Sequence, residues 1–311
     1  MNYMNLNYTD LHCDTAYEIY KSKSGLKKNG LHIDMEKAKK YGRYSQIFAI
    51  WSDNDKTDEE NYADFFKVRS YFMENLAEND IILCKTGSEY EENKNKNRAF
   101  LAVEGGKLLS DDISRLDVLY KNDVRFLTFV WNGVCKIGGA FNSDAGLTDF
   151  GRQVVKRSNE LGIIIDLSHS SDKTAADIFE LSGRPVIATH SNSRSVFNHK
   201  RNLTDEQFSE IKKRGGIVGI SLCAAHIITN DDSEPVFIRD VIKHIDYYMA
   251  LGGENAVCFG CDFDGADIPG DMENISDVEK ICDELKKIGY NDGLIEKIMY
   301  KNADGFIAQY V

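Results

Sequence analysis

Five side chains of metal-binding type, His12, Asp14, Glu104, His169 and His190, stand at the ends of short apolar runs in this 311-residue chain. Tyr8-Thr9-Asp10-Leu11 leads into His12, and Ala99-Phe100-Leu101-Ala102-Val103 leads into Glu104. Ile163-Ile164-Ile165-Asp166-Leu167 runs up to His169, and Pro185-Val186-Ile187-Ala188-Thr189 runs up to His190. Short β-branched runs bounded by Gly, Ser or Pro read as buried strands. Imidazole and carboxylate donors suit borderline divalent ions such as zinc. His12 and Asp14 are two residues apart, a spacing that on a strand sends both side chains to one side. A glutamate closing an apolar strand, as Glu104 does, is costly to bury unless a cation meets it. Taken singly, each of these reads as readily as a core histidine, a salt-bridged carboxylate or a loop residue; together, at four strand ends, they point to a metal site. A His-Asp pair, a His-His pair and Glu104 between them in strand order exceed what one tetrahedral ion needs. The count suits two ions bridged by Glu104. Two divalent ions about 3.5–4 Å apart can share a hydroxide, lower its pKa and polarise a carbonyl oxygen, so hydrolysis is the reaction class.

Two further groups fit around such a water. Asp262 and Asp264, in Gly260-Cys261-Asp262-Phe263-Asp264-Gly265, follow another apolar run. One of them can take a proton from the attacking water and pass it to a leaving amine; Asp262, nearer the strand, is the better placed, although both also read as turn residues. Arg201, in His199-Lys200-Arg201-Asn202, lies on a loop after the His190 run. Its guanidinium matches a carboxylate in geometry and charge, so it is a candidate substrate clamp; an exposed loop arginine is the plainer reading.

The elements that must hold these groups are eight candidate strands, near Thr9–His12, Gln46–Trp51, Ala99–Val103, Phe126–Val130, Ile163–Leu167, Val186–Thr189, Ile217–Leu222 and Val257–Cys261. Between most of them lie segments of helical period. Phe65, Val68, Phe72 and Leu76 mark one across Asn61 to Leu76, and Gly151–Leu161, Lys173–Leu181, Asp205–Arg214 and Phe237–Leu251 read the same way. Thr204 with Gln207 three residues on forms a capping box, and Leu161-Gly162 and Arg214-Gly215 look like glycine-stopped helix ends. Such strand-helix alternation is the signature of a single (β/α)8 barrel over residues 1–311, whose active site is built at the carboxyl ends of the strands. Val278–Ile288 and Asp292–Met299 read as C-terminal helices closing the outside, and Asn54–Glu60 and Glu89–Asn97 as polar surface loops.

Composition narrows the partners. A net charge of -12 speaks against nucleic acid and anionic membranes. No apolar run approaches the roughly 18 residues of a membrane span, and Met1 to Asp10 lacks the pattern of a signal peptide. Seven scattered cysteines, an odd number, suit reduced thiols. Cys258 and Cys261 form a C-x-x-C on a strand, where residues three apart point to opposite faces, so they read as core thiols. The expectation is a soluble, cytoplasmic protein acting on a small molecule.

The chain also resembles a known family, the membrane (renal-type) dipeptidases and their bacterial relatives, the M19 metallopeptidases of the amidohydrolase superfamily. The stretches that carry the resemblance are Asp10-Leu11-His12-Cys13-Asp14-Thr15, Val103-Glu104-Gly105-Gly106 and Leu127-Thr128-Phe129-Val130-Trp131-Asn132-Gly133. They continue with Gly146-Leu147-Thr148-Asp149-Phe150-Gly151, Ile165-Asp166-Leu167-Ser168-His169 and Val186-Ile187-Ala188-Thr189-His190-Ser191-Asn192. Arg201-Asn202-Leu203-Thr204-Asp205 and Gly260-Cys261-Asp262-Phe263-Asp264-Gly265 complete a set that spans essentially the whole chain in order.

What the resemblance implies is a dipeptidase with two zinc ions, other divalent metals being an alternative. His12 and Asp14 would hold one ion, His169 and His190 the other, and Glu104 would bridge. Arg201 would bind the dipeptide's terminal carboxylate, and Asp262 would shuttle the proton. Family members are often homodimers, which leaves that assembly open here. Trp131 stands where the animal enzymes carry a histidine that helps polarise the scissile carbonyl, as in a bacterial subgroup. Indole donates one hydrogen bond but exchanges no proton; Asn132 is the alternative donor. Two other readings stay in view: hydrolysis of another amide, lactone or ester, and a catalytically quiet metal- or small-molecule-binding protein.

Overall fold

The computed structural model describes residues 6–228 and 235–311. The described residues form nine strands, all but the half-buried β3 being buried runs: β1 (Tyr8–Cys13), β2 (Tyr44–Trp51), β3 (Ile82–Leu83), β4 (Arg98–Glu104), β5 (Val124–Thr128), β6 (Ile164–Asp166), β7 (Val186–Ile187), β8 (Val218–Ile220) and β9 (Val257–Phe259). Every pairing is parallel, in the order β7-β6-β5-β4-β2-β1-β9-β8. A single bridge between Ala188 and Val218 brings β7 back beside β8. The result is a nearly closed barrel of eight parallel strands with helices between them, the expected (β/α)8 architecture. The short β3, unforeseen in the sequence, lies outside the ring and pairs only with β4.

Alternation along each strand divides the apolar residues into two layers. Ile47, Ala49, Phe100, Ala102, Phe126 and Ile164 share one cluster; Phe48, Ile50, Leu101, Val103, Leu127 and Ile165 join the other, with the helices. The first cluster also takes in Ala303, Phe306 and Ile307. They come from the last helix, Asn302–Tyr310, which follows Asp292–Glu296 through a π-helical turn. This last helix, which lies beyond the two segments read from the sequence as C-terminal helices, therefore plugs one end of the barrel. Asp304 fixes that plug, accepting from Thr9 Oγ1 at 2.7 Å and Tyr90 OH at 2.5 Å and pairing with Arg43. Thr9 is the second residue of β1, so the plugged end is the amino end of the strands and the other end is free for a site.

The helices begin where side chains can satisfy their free N–H groups. Thr57 and Glu60 form a capping box on Asp58–Glu78, and Thr204 and Gln207 form the expected one on Asp205–Lys213. Thr148 and Ser171 cap Asp149–Leu161 and Asp172–Leu181. Two stretches expected as loops are partly helical for the same reason: Asn54–Glu60 contains the start of the Thr57-capped helix, and Thr86 caps Gly87–Glu92. Glycine is required where β7, β8 and β9 close the ring. A Cβ on Gly260 would lie 1.6 Å from the Thr189 carbonyl oxygen, and one on Gly219 would lie 1.9 Å from it. Among the described residues, no helix is long and apolar enough to cross a membrane.

Candidate active site

All five metal-type residues meet at the carboxyl end of the barrel. His12 lies in β1 and Asp14 one residue beyond it; Glu104 ends β4; His169 and His190 each lie three residues past β6 and β7. Asp262 follows β9 at the same interval, beside His12, whose carbonyl accepts its N–H at 3.2 Å. His169, Asp262 and Asp264 adopt φ of 68°, 63° and 67°. Non-glycine residues rarely enter this left-handed region, and local strain of that kind concentrates at functional sites.

One carboxylate oxygen sits at the centre. Glu104 Oε1 is 2.9 Å from His169 Nε2, 3.3 Å from His190 Nε2 and 3.6 Å from His12 Nε2. The two nitrogens of His169 and His190 are 3.0 Å apart. An ion bound tetrahedrally at about 2.0–2.1 Å spaces its ligand atoms about 3.3–3.4 Å apart, close to the three edges of this triangle. On the other side His12, Asp14 and Asp262 bring one donor atom each to within 4.8 Å of one another. Here His12 Nε2 and Asp14 Oδ1 are buried without a hydrogen-bond partner among the described residues. Buried polar atoms are seldom left so, and a cation satisfies both. The donor set, imidazole and carboxylate, fits divalent ions in both halves.

The electrostatics point the same way. Burial pushes the Asp14 carboxyl well above the usual range, Glu104 adding to the push and His12 opposing it. Burial likewise lifts Asp262 to about 7, His12 and Arg201 opposing and Glu104 adding. For His12 burial acts downward, yet Glu104, Asp14 and Asp262 hold it up at about 10. Glu104 is kept well below the usual carboxylate range because His12, His169 and His190 outweigh its burial. Burial, then Arg201, lowers His169 to about 4; burial, then His12, lowers His190 well below its ordinary value. Three carboxylates and three imidazoles crowd one largely buried space, and a divalent cation would relieve the repulsion among the carboxylates.

Arg201 is buried, 3% exposed, rather than on an open loop. Its Nη1 donates to Ser191 Oγ at 2.8 Å, and its Nε has no partner among the described residues. Among the described residues no carboxylate oxygen lies within ion-pairing distance of it; Asp262 and Glu104 act on it only through space. A buried guanidinium without a counter-ion is costly, and an anion placed beside it would offset that cost.

Trp131 and Asn132 face different ways. Trp131 packs edge-on against Trp51 at 4.8 Å and lines a cavity of about 270 Å³ with Asp14, Tyr17 and Asp264. Asn132 lines a neighbouring hollow with Asn54, Lys107 and Lys136, its carbonyl accepting from Asn54 Nδ2 at 2.9 Å. Asp264 is occupied: it accepts from Thr15 Oγ1 at 2.6 Å and from the His32 N–H at 2.5 Å. Asp262 is the freer of the pair. Cys258 and Cys261, the latter two residues beyond β9, are buried free thiols in separate core clusters.

Several buried polar residues around the site were not singled out from the sequence: Asp10, Asp166, Thr189 and Ser191. Asp10 and Asp166 did carry a signal, since each interrupts an apolar run where an unpartnered carboxylate cannot be buried.

Comparison with known proteins bears on this arrangement. The family profile described as Membrane dipeptidase (Peptidase family M19) matches residues 4–304. A curated Klebsiella pneumoniae protein, described as an uncharacterized protein in the pqqA 5' region, is 29% identical over 233 residues, 71% of this chain and 85% of its own. Among solved structures, that of dipeptidase AC, a metallo peptidase of family M19, superposes with a TM-score of 0.90 at 25% identity, covering 98% of this chain and 99% of that one. A metallo peptidase from Rhodobacter sphaeroides, liganded with a phosphinate mimic of the dipeptide L-Ala-D-Ala, shares the fold with a TM-score of 0.91 at 24% identity over 99% of this chain and all of that one (100%).

Proposed function

Since this chain belongs to the membrane dipeptidase family, peptidase family M19, we propose that it hydrolyses dipeptides bearing a free C-terminal carboxylate at a centre of two zinc ions. It is a hydrolase acting on peptide bonds, of a metal-dependent kind. In this reading His12 and Asp14 would hold one ion, His169 and His190 would hold the other, and Glu104 would serve both. Such a pair supplies Lewis acidity, making water nucleophilic near neutral pH and drawing electrons from a carbonyl oxygen.

The remaining work falls to the chain's own groups. Arg201 takes the substrate's carboxylate and so sets the peptide bond at a fixed distance from the centre. Asp262, beside His12 and lifted by burial, accepts the proton of the attacking water and delivers it to the leaving amine nitrogen. The Trp131 indole borders the cavity on the Asp14 side; its single N–H leaves proton transfer to Asp262. Asn132, in the outer hollow, supports only a minor part in binding.

The observation that carries the reading is the buried, unpaired guanidinium of Arg201 within the field of the metal-type cluster. A lactone or ester hydrolase acting on uncharged substrates has no use for it. The test is a steady-state survey of L,L and L,D dipeptides, their C-terminal amides and simple lactones, with zinc-reconstituted protein. Dipeptide turnover well above that of amides and lactones is expected; preferential turnover of either uncharged class would refute it.

A further inference from the structure

Two buried carboxylates fasten the strand ends in matching fashion. Asp10 of β1 accepts from the N–H of His12 at 2.9 Å and of Cys261 at 3.2 Å, tying the His12 end to the Asp262 end. Asp166, the last residue of β6, does the same for the opposite pair. Its Oδ1 accepts from the N–H of Ser168 at 2.9 Å and of Thr189 at 2.8 Å. Its Oδ2 accepts from Thr128 Oγ1 and from Thr189 Oγ1, both at 2.6 Å.

The Thr189 hydroxyl has one hydrogen, and that hydrogen goes to Asp166. Thr189 Oγ1 also lies 2.8 Å from His190 Nδ1. With its own proton committed, the hydroxyl can only accept there, so His190 Nδ1 must carry the ring proton. A neutral imidazole has one such proton, which leaves Nε2 with a bare lone pair. Nε2 is the nitrogen that faces Glu104 and His169. By contrast, His169 Nδ1 has no hydrogen-bond partner among the described residues, so this control falls on His190 and not on His169.

We infer that Asp166, acting through Thr189, is a positioning residue that fixes the tautomer and ring orientation of His190 for metal binding. The inference rests on the reading of His190 as a metal ligand. Outer partners of this kind contribute about 10- to 100-fold to metal affinity.

The experiment is a chelator competition on the full chain, stripped and reloaded with zinc, resolving the affinities of the successive ions. Thr189→Val keeps the shape and removes the relay; Thr189→Ser restores it. Asp166→Asn offers an amide N–H in place of the accepting oxygen, turning the Thr189 hydroxyl toward His190 Nδ1 and favouring the wrong tautomer. The expected result is a loss of about 10- to 100-fold for one ion only in Thr189→Val and Asp166→Asn, with Thr189→Ser near wild type. If Thr189→Val fails to fold, Asp166→Asn carries the same expectation. Unchanged affinity in both, equal loss for both ions, or a serine variant as weak as the valine one overturns the relay. His190→Ala separates the two layers of the argument. If it weakens an ion while Thr189→Val and Asp166→Asn do not, only the relay fails; if it weakens neither ion, the ligand reading itself fails.

Discussion

Replacing Arg201 by methionine removes a cation that the fold itself barely uses. Its side chain makes one hydrogen bond to a neutral partner, Ser191, and leaves Nε unpaired in a buried setting. Folding should therefore lose little, since methionine fills similar apolar volume and no buried counter-charge is stranded. Substrate binding should lose much more. A charge-assisted hydrogen bond in a water-poor site contributes about 1.5–3 kcal/mol, which is about 10- to 150-fold in rate. A carboxylate that reaches both Nε and a terminal nitrogen would lose toward the upper end. The assay is kcat/KM for one dipeptide and for its C-terminal amide, in wild type and Arg201→Met, with melting temperature as a control. The ratio between the two substrates should collapse by at least about 10-fold in the variant, with the melting temperature nearly unchanged. An equal fall for both substrates would show Arg201 to be structural and remove the specificity argument for a dipeptidase.

Asp262→Asn should lower kcat by at least about 10²-fold while metal content stays constant; its φ of 63° suits asparagine, so refolding defects should not mask the effect. Normal turnover would shift the proton to another group. Gly260→Ala should destabilise the fold by about 1–3 kcal/mol or more in urea titration, because the new methyl would meet the Thr189 carbonyl oxygen at 1.6 Å; an unchanged midpoint would mean that the ring closes more loosely than described. Asp123 is held below the usual carboxylate range: burial raises it, but Lys85 and Arg69 outweigh burial. Its contribution is thus present above the unfolded value near pH 4 and fades as pH falls through the lower folded one. Asp123→Asn should melt earlier than wild type at neutral pH, and the gap should close in acid; a gap independent of pH would contradict that sign.

Strand ends were legible because a buried parallel strand is a short apolar run, and a polar residue closing it stands out. His12, Asp14, Glu104, His169 and His190 stood out in this way, and the structure brings them together. The strands themselves stop earlier than the runs suggest. Ile163–Leu167 shrinks to Ile164–Asp166 and Val186–Thr189 to Val186–Ile187, because Asp166 draws the N–H groups of Ser168 and Thr189 away from the ladder. That competition is three-dimensional and invisible in a linear pattern. So is the burial of Arg201, whose polar neighbourhood reads as an open loop. The two-residue β3 has no periodicity to detect, and the C-terminal helix gave no sign that Phe306 and Ile307 would enter the barrel's inner cluster.

The most direct test of the account is a metal titration read by peptide-bond hydrolysis. Chelator-stripped protein is titrated with zinc while turnover of a free dipeptide and bound metal are both followed. The account predicts negligible turnover without metal, activity that climbs to a plateau at two equivalents per chain, and a Glu104→Gln protein that binds fewer. Full activity at one equivalent with Glu104→Gln unchanged in metal content, or turnover that persists in the stripped protein, would contradict it.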